Sequence, residues 1–146
     1  MENSTIDSIL ENLFHILPII HKKLLRMDLG GVTGNLSRLH LAIMEMLRGE
    51  NLAVSEVAKR LLISKSQMTH LIDQLVDPDI VARHHDAKDR RVINISLTNH
   101  GKAMLKECRG IMKQTIRNKL SNLTRAELAE LSMALEKLKD IGAKLE

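Results

Sequence analysis

The sequence predicts a mainly α fold carrying one small β-hairpin (α+β), on three observations. Apolar residues recur at helical spacing through six stretches, whereas only one stretch, around residues 80–98, shows the every-second-residue alternation of a half-buried strand. Hydrophobic residues make up 44% of the chain, but aromatics only 1%, with Phe14 alone and no Trp or Tyr. The core is therefore built from Leu, Ile, Val, Met and Ala, which suits helices packing on helices. At 146 residues the chain is expected to form one domain, 1–146, long enough for a real core.

The elements follow in order. From Thr5 to about Met27 the apolar positions Ile6, Ile9, Leu10, Leu13, Phe14, Ile16, Leu17, Ile19, Ile20, Leu24 and Leu25 cover an arc wider than one core face needs. A terminal helix with two apolar sides packs on its own domain and on a second subunit, and Pro18 should kink it. "DLGGVTGN" reads as a loop, followed by a helix from about Ser37 to Leu47. Two short helices come next. Ser55 is expected to cap the first, and Ser64 the second in a capping box with Gln67; the tight connection between them is a helix-turn-helix. With Met68, Leu71, Ile72 and Leu75 buried, the opposite face carries Ser66, Thr69, His70 and Asp73, flanked by Lys65, Gln67 and Gln74. Such a polar face suits a reader of the DNA major groove, and an ordinary solvated face reads the same way.

Asp77-Pro78-Asp79 ends this helix, and "IVARHH" and "VINISLT" form the arms of the hairpin around "DAKDRR", with Ile93, Ile95 and Leu97 on one face. Thr98 caps a long helix to about Leu120, and Thr124 with Glu127 opens the last one in a capping box. That order of elements is a winged helix-turn-helix with N- and C-terminal dimerisation helices: about 37–100 for the core, about 5–28 and 101–146 for the helices.

Charge, cysteine content and motif spacing restrict the chemistry. A net charge of +4 is compatible with a nucleic-acid partner without requiring one, and the lack of aromatics argues against stacking on single strands. Cys108 is the only cysteine, so no intrachain disulfide forms; it is read as a buried, inert thiol. "MENSTIDSILENL" has no basic leader region and no apolar run spans a bilayer, so no membrane partner and a cytoplasmic location are expected. His84 and His85 are adjacent on a strand and point to opposite faces, and no Cys/His cluster has zinc-site spacing, so no metal or cofactor is expected. Nor is catalysis: no phosphate loop, nucleophile–His arrangement or paired carboxylates stand out.

The stretch "LAVSEVAKRLLISKSQMTHLIDQLVDPDIVARHHDAKDRRVINISLTNHGKAML", with its D-R-R turn and its strand ending in L-T-x-x-G at Leu97, Thr98 and Gly101, resembles the DNA-binding core of the MarR family of transcription regulators. The resemblance covers roughly residues 37 to 105. It implies a homodimer on double-stranded DNA at a pseudo-palindromic operator, acting as a repressor relieved by a small apolar or phenolic effector. It also implies that Asp89 orients Arg91 toward the minor groove. Lys88 and Arg90 are read as phosphate contacts, and Lys65, Ser66, Gln67, Thr69, His70 and Gln74 as the major-groove set. Two positions depart from the pattern: Asp79 stands where the family has glycine, and His70 where it often has arginine. His15, His21 and Arg26 are the candidates for the polar lining of an effector pocket. The competing expectation is a winged-helix protein-interaction module without specific DNA binding, which has no need of Arg91 or of a polar reading face.

Overall fold

The computed structural model describes residues 1–145, which fall into two compact units: Met1–Met27 together with the chain from Met112 onward, and Asp28–Ile111. In the first unit α1 (Glu2–Ile19) passes at once into a π-helical segment, Ile20–Leu25. Pro18 cannot donate the N–H that would bond Phe14, and the hydrogen-bond ladder changes register just past it. The break that the sequence predicts as a kink therefore takes the form of a wider helix. No residue of α1 is buried, and Ile6, Leu10, Leu13, Phe14 and Leu17 all stand exposed. The same unit holds a 3₁₀ turn, Leu120–Asn122, and α7 (Arg125–Gly142), opened by the reciprocal Thr124–Glu127 box. Lys119 Nζ donates to the Arg26 carbonyl at 2.8 Å.

The second unit carries the core. Its elements are α2 (Gly30–Thr33), α3 (Arg38–Met46), β1 (Leu52–Ala53), α4 (Val54–Leu61), α5 (Lys65–Val76), β2 (Val81–His85), β3 (Ile93–Leu97) and the start of α6 (Asn99–Lys119). Ile43, Met44, Val57, Met68, Ile72, Leu75, Ile80, Val81 and Ile95 are almost wholly buried together, so α5 contributes the apolar stripe its spacing predicts. The sheet is antiparallel in the order β1-β3-β2, with Leu52 opposite Ile95 and Val81 opposite Leu97.

Five local expectations need correcting. The glycine-rich stretch read as a loop contains the single helical turn α2. The hairpin gains a third strand, β1, whose two residues are too few to show alternation. Ser55 does not cap α4: Ala53 occupies that position and Ser55 lies inside the first turn. Ser64 accepts from the Gln67 backbone N–H at 3.1 Å, but the Gln67 side chain does not return the bond, so only half of the predicted box forms. Ile93, expected on the buried face, is exposed because β3 leaves the core toward the hairpin tip.

The turn of the helix-turn-helix is made by Leu62, which closes α4 with φ 54° while its side chain is 92% exposed. A left-handed residue with a side chain costs roughly 1–2 kcal/mol, and this leucine recovers almost nothing by burial. Leu62→Gly is therefore expected to stabilise the protein by about 0.5–1 kcal/mol, net of glycine's greater freedom when unfolded. Urea denaturation checks this; a loss of stability would mean that Leu62 is covered by something in solution.

Asp79 also has positive φ, 61°, at the position where the MarR resemblance points to glycine. Its N–H donates to Val76 O at 2.9 Å, and Thr98 Oγ1 donates to its carbonyl at 2.5 Å. Thr98 Oγ1 also accepts from the Gly101 N–H at 3.0 Å, and so caps α6. One threonine thus ties the end of α5, the start of β2 and the start of α6 together. Cys108, one turn beyond Leu105, is buried, and burial, then the Glu107 charge, pushes its thiol above the ordinary cysteine value. A thiol held protonated is a poor nucleophile and a poor metal ligand.

Candidate nucleic-acid interface

The hairpin tip is built on aspartates. Asp86 closes it: Oδ2 accepts from the backbone N–H groups of Lys88 at 3.0 Å and Asp89 at 3.2 Å, and Oδ1 accepts from Asn94 Nδ2 at 2.9 Å. Short side-chain acceptors of this kind replace the missing backbone partners in a turn. Asp89 then holds Arg91. Its Oδ1 accepts from the backbone N–H and from Nε of Arg91, both at 3.1 Å, and its Oδ2 accepts from Nη2 at 3.1 Å. The guanidinium is gripped along one edge by both carboxylate oxygens while its side chain stays 91% exposed. An exposed ion pair adds little stability, so this arrangement sets direction more than it adds energy. The His85 Nδ1–H donates to the Arg90 carbonyl at 2.9 Å, which steadies the same tip.

These bonds leave a signature in the titration of the two aspartates. The Asn94 amide, then the Lys88 and Asp89 backbone N–H groups, hold the Asp86 carboxyl below its ordinary value. The Arg91 side chain, then its backbone N–H, does the same for Asp89. A carboxylate whose folded value is depressed stabilises the fold above its unfolded value, and that contribution is lost as pH falls through the folded one. The tip should therefore keep its bracing at neutral and mildly acidic pH and loosen only below the ordinary aspartate range. Carboxyl-carbon NMR is expected to show both residues titrating below an aspartate in an unstructured peptide. Titration at or above that reference would remove the bracing role.

On α5, Lys65, Ser66, Gln67, Thr69, His70 and Gln74 all lie exposed, as does Asp73. Among the described residues the side chains of Lys65, Gln67 and His70 have no hydrogen-bond partner. Thr69 Oγ1 donates back to Lys65 O at 3.0 Å and keeps only acceptor capacity for anything outside. Gln74 is not free: its Oε1 is 2.8 Å from Nε2 of His40, a buried residue on α3. Asp73 pairs with Arg83, so the exposed face of α5 and strand β2 are joined by an ion pair.

The sequence points to Asp89 as the brace of Arg91 but not to Asn94 or His40. An asparagine on the polar face of a strand beside an aspartate-led turn signals Asn94 weakly; nothing local signals His40, whose partner lies 34 residues away.

The three residues proposed to line an effector pocket, His15, His21 and Arg26, all lie in the first unit and are exposed, and His15 Nδ1 donates to the Glu11 carbonyl at 2.8 Å. A cavity of about 230 Å³ lies in the second unit, lined by Arg48, Leu97, Lys102, Leu105, Lys106 and Arg109. Among the described residues no three His, Cys, Asp or Glu side chains gather into a metal set, and no helix is long and apolar enough to cross a membrane.

A helix-turn-helix whose second helix is polar outside and apolar inside, followed by a hairpin with an arginine fixed at its tip, defines a winged helix-turn-helix protein. Comparison with known proteins places it more closely. A family model described as MarR family matches residues 31–92. The HTH-type transcriptional repressor MdtR of Bacillus subtilis (strain 168) is 36% identical over 88 residues, or 60% of this chain and 57% of MdtR, so the chain spans little more than half of that relative's length. A MepR-like protein, solved in complex with pseudoligands, is 32% identical over 93% of this chain and 94% of its own, with a TM-score of 0.56. The transcriptional regulator BldR of Sulfolobus solfataricus is 26% identical over 92% of this chain and 96% of its own, with a TM-score of 0.72. The chain belongs to the MarR family.

Proposed function

We propose that this protein is a sequence-specific DNA-binding transcription regulator, a cytoplasmic homodimer that represses until a small effector changes the spacing of its two reading helices. The observation that carries the reading is the tip of the hairpin, where Asp89 grips an arginine that is otherwise bare. A planar, weakly hydrated cation projecting from a stiff turn suits the narrow minor groove, where negative potential is concentrated. The exposed donors and acceptors on α5 supply major-groove contacts, with Lys88 and Arg90 on phosphates. The exposed apolar side chains of α1 supply the pairing surface, and two-fold symmetry would set the two α5 helices about 34 Å apart, one turn of DNA. The name of MdtR, a transcriptional repressor, supports the direction of control.

Fluorescence anisotropy against genomic fragments, run at several salt concentrations, tests this. Affinity for one fragment should exceed that for the rest by at least about 10³-fold, and both should fall steeply with salt as counterions are released. Equal, weak binding to every fragment would favour a protein-interaction module.

A further inference from the structure

We propose that His40 fixes Gln74 with its NH₂ outward, as a donor-presenting reading group, and so sets the base preference of α5 at that position; the inference rests on the DNA-binding reading above. His40 is only 4% exposed and is bound on both ring nitrogens. The Ser37 backbone N–H, which can only donate, points at Nδ1 at 2.9 Å, so Nδ1 is the bare nitrogen and Nε2 carries the ring proton. That proton is donated to Gln74 Oε1 at 2.8 Å, which assigns the carboxamide: oxygen toward the buried ring, NH₂ away from it.

The consequence follows from the geometry of a planar amide. A glutamine reads adenine with both ends at once, its oxygen accepting from N6 and its nitrogen donating to N7. The imidazole on α3 takes one lone pair of the Gln74 oxygen and fixes the plane of the amide, so the carboxamide cannot turn freely to lay both ends along an adenine edge. The end it turns away from the ring carries two N–H donors, which fit guanine O6 and N7 or thymine O4. His40 is thus a positioning residue acting through Gln74. Because its other nitrogen accepts from the N-cap of α3, the donor orientation is anchored to the start of that helix.

The test selects binding sites from a randomised double-stranded DNA library with the full-length wild type and three variants. The wild type should prefer guanine or thymine at the base pair read by Gln74. His40→Leu frees the carboxamide oxygen and should move that preference toward adenine by on the order of tenfold, the scale of one bidentate pair. His40→Gln offers an oxygen to the Ser37 N–H and an NH₂ to Gln74, as a capping glutamine does, and should restore the wild-type profile. Loss of packing alone would not be rescued in base preference. Gln74→Glu on the exposed face keeps the His40 bond and presents an acceptor, so its preference should move to cytosine even if His40→Leu fails to fold. An unchanged base profile in Gln74→Glu, or in a folded His40→Leu, overturns the proposal. A wild type that selects no motif at all overturns the DNA-binding reading instead, and this inference with it.

Discussion

Gly101→Ala is expected to lower stability by at least about 2 kcal/mol and the melting temperature by roughly 6–10 °C. Helix propensity alone points the other way, since alanine is favoured over glycine inside a helix by about 1 kcal/mol. The surroundings decide. Gly101 is buried in the first turn of α6, and a Cβ there would be driven into the carbonyl oxygen of Ile80, with Leu97 Cδ2 only 3.1 Å away. That oxygen belongs to the backbone and already accepts from the Thr98 N–H at 3.0 Å and from Thr98 Oγ1 at 3.1 Å, so it cannot yield without releasing the cap of α6. Calorimetry checks the value. An unchanged or higher melting temperature would mean that α6 does not sit this close to β2 in solution.

The second large effect is on binding. On the proposed reading of the hairpin, Arg91→Ala weakens operator binding by about 1–3 kcal/mol, roughly 5- to 150-fold, and leaves the melting temperature within about 1 °C of wild type. The two halves of that expectation separate a reading arginine from a structural one, because the Asp89 pair is exposed and holds no other element. Arg91→Lys should not restore the affinity, since a single ammonium cannot both be gripped by Asp89 and present a planar face to the groove. Anisotropy on the selected operator measures the loss; normal binding by Arg91→Ala would remove the hairpin tip from the interface.

Where the sequence carried a periodic or capping signal, the fold was legible. The buried stripe of α5, the Thr98 and Thr124 caps and the two hairpin arms all follow from local spacing, and the L-T-x-x-G ending marked Gly101 without revealing the carbonyl it rests against. Features without local spacing were hidden. β1 is two residues long and exists because β3 offers it an edge. Ser55 had the right chemistry for a cap, but the chain bends into the helix two residues earlier. His40 reads as one more position on an amphipathic helix until the fold sets Gln74 across from it. For the candidate interface, residue types on α5 were readable but their commitments were not: Thr69 spends its proton on its own helix and Gln74 gives its oxygen to α3.

The most direct test of the central claim is a footprint of the wild-type protein on a genomic fragment it selects. The account predicts protection of a two-fold symmetric site, with half-site centres about one helical turn apart and flanking protection in the minor groove where the tips reach. Protection at a single asymmetric site, or none above that of a competitor of random sequence, would contradict it.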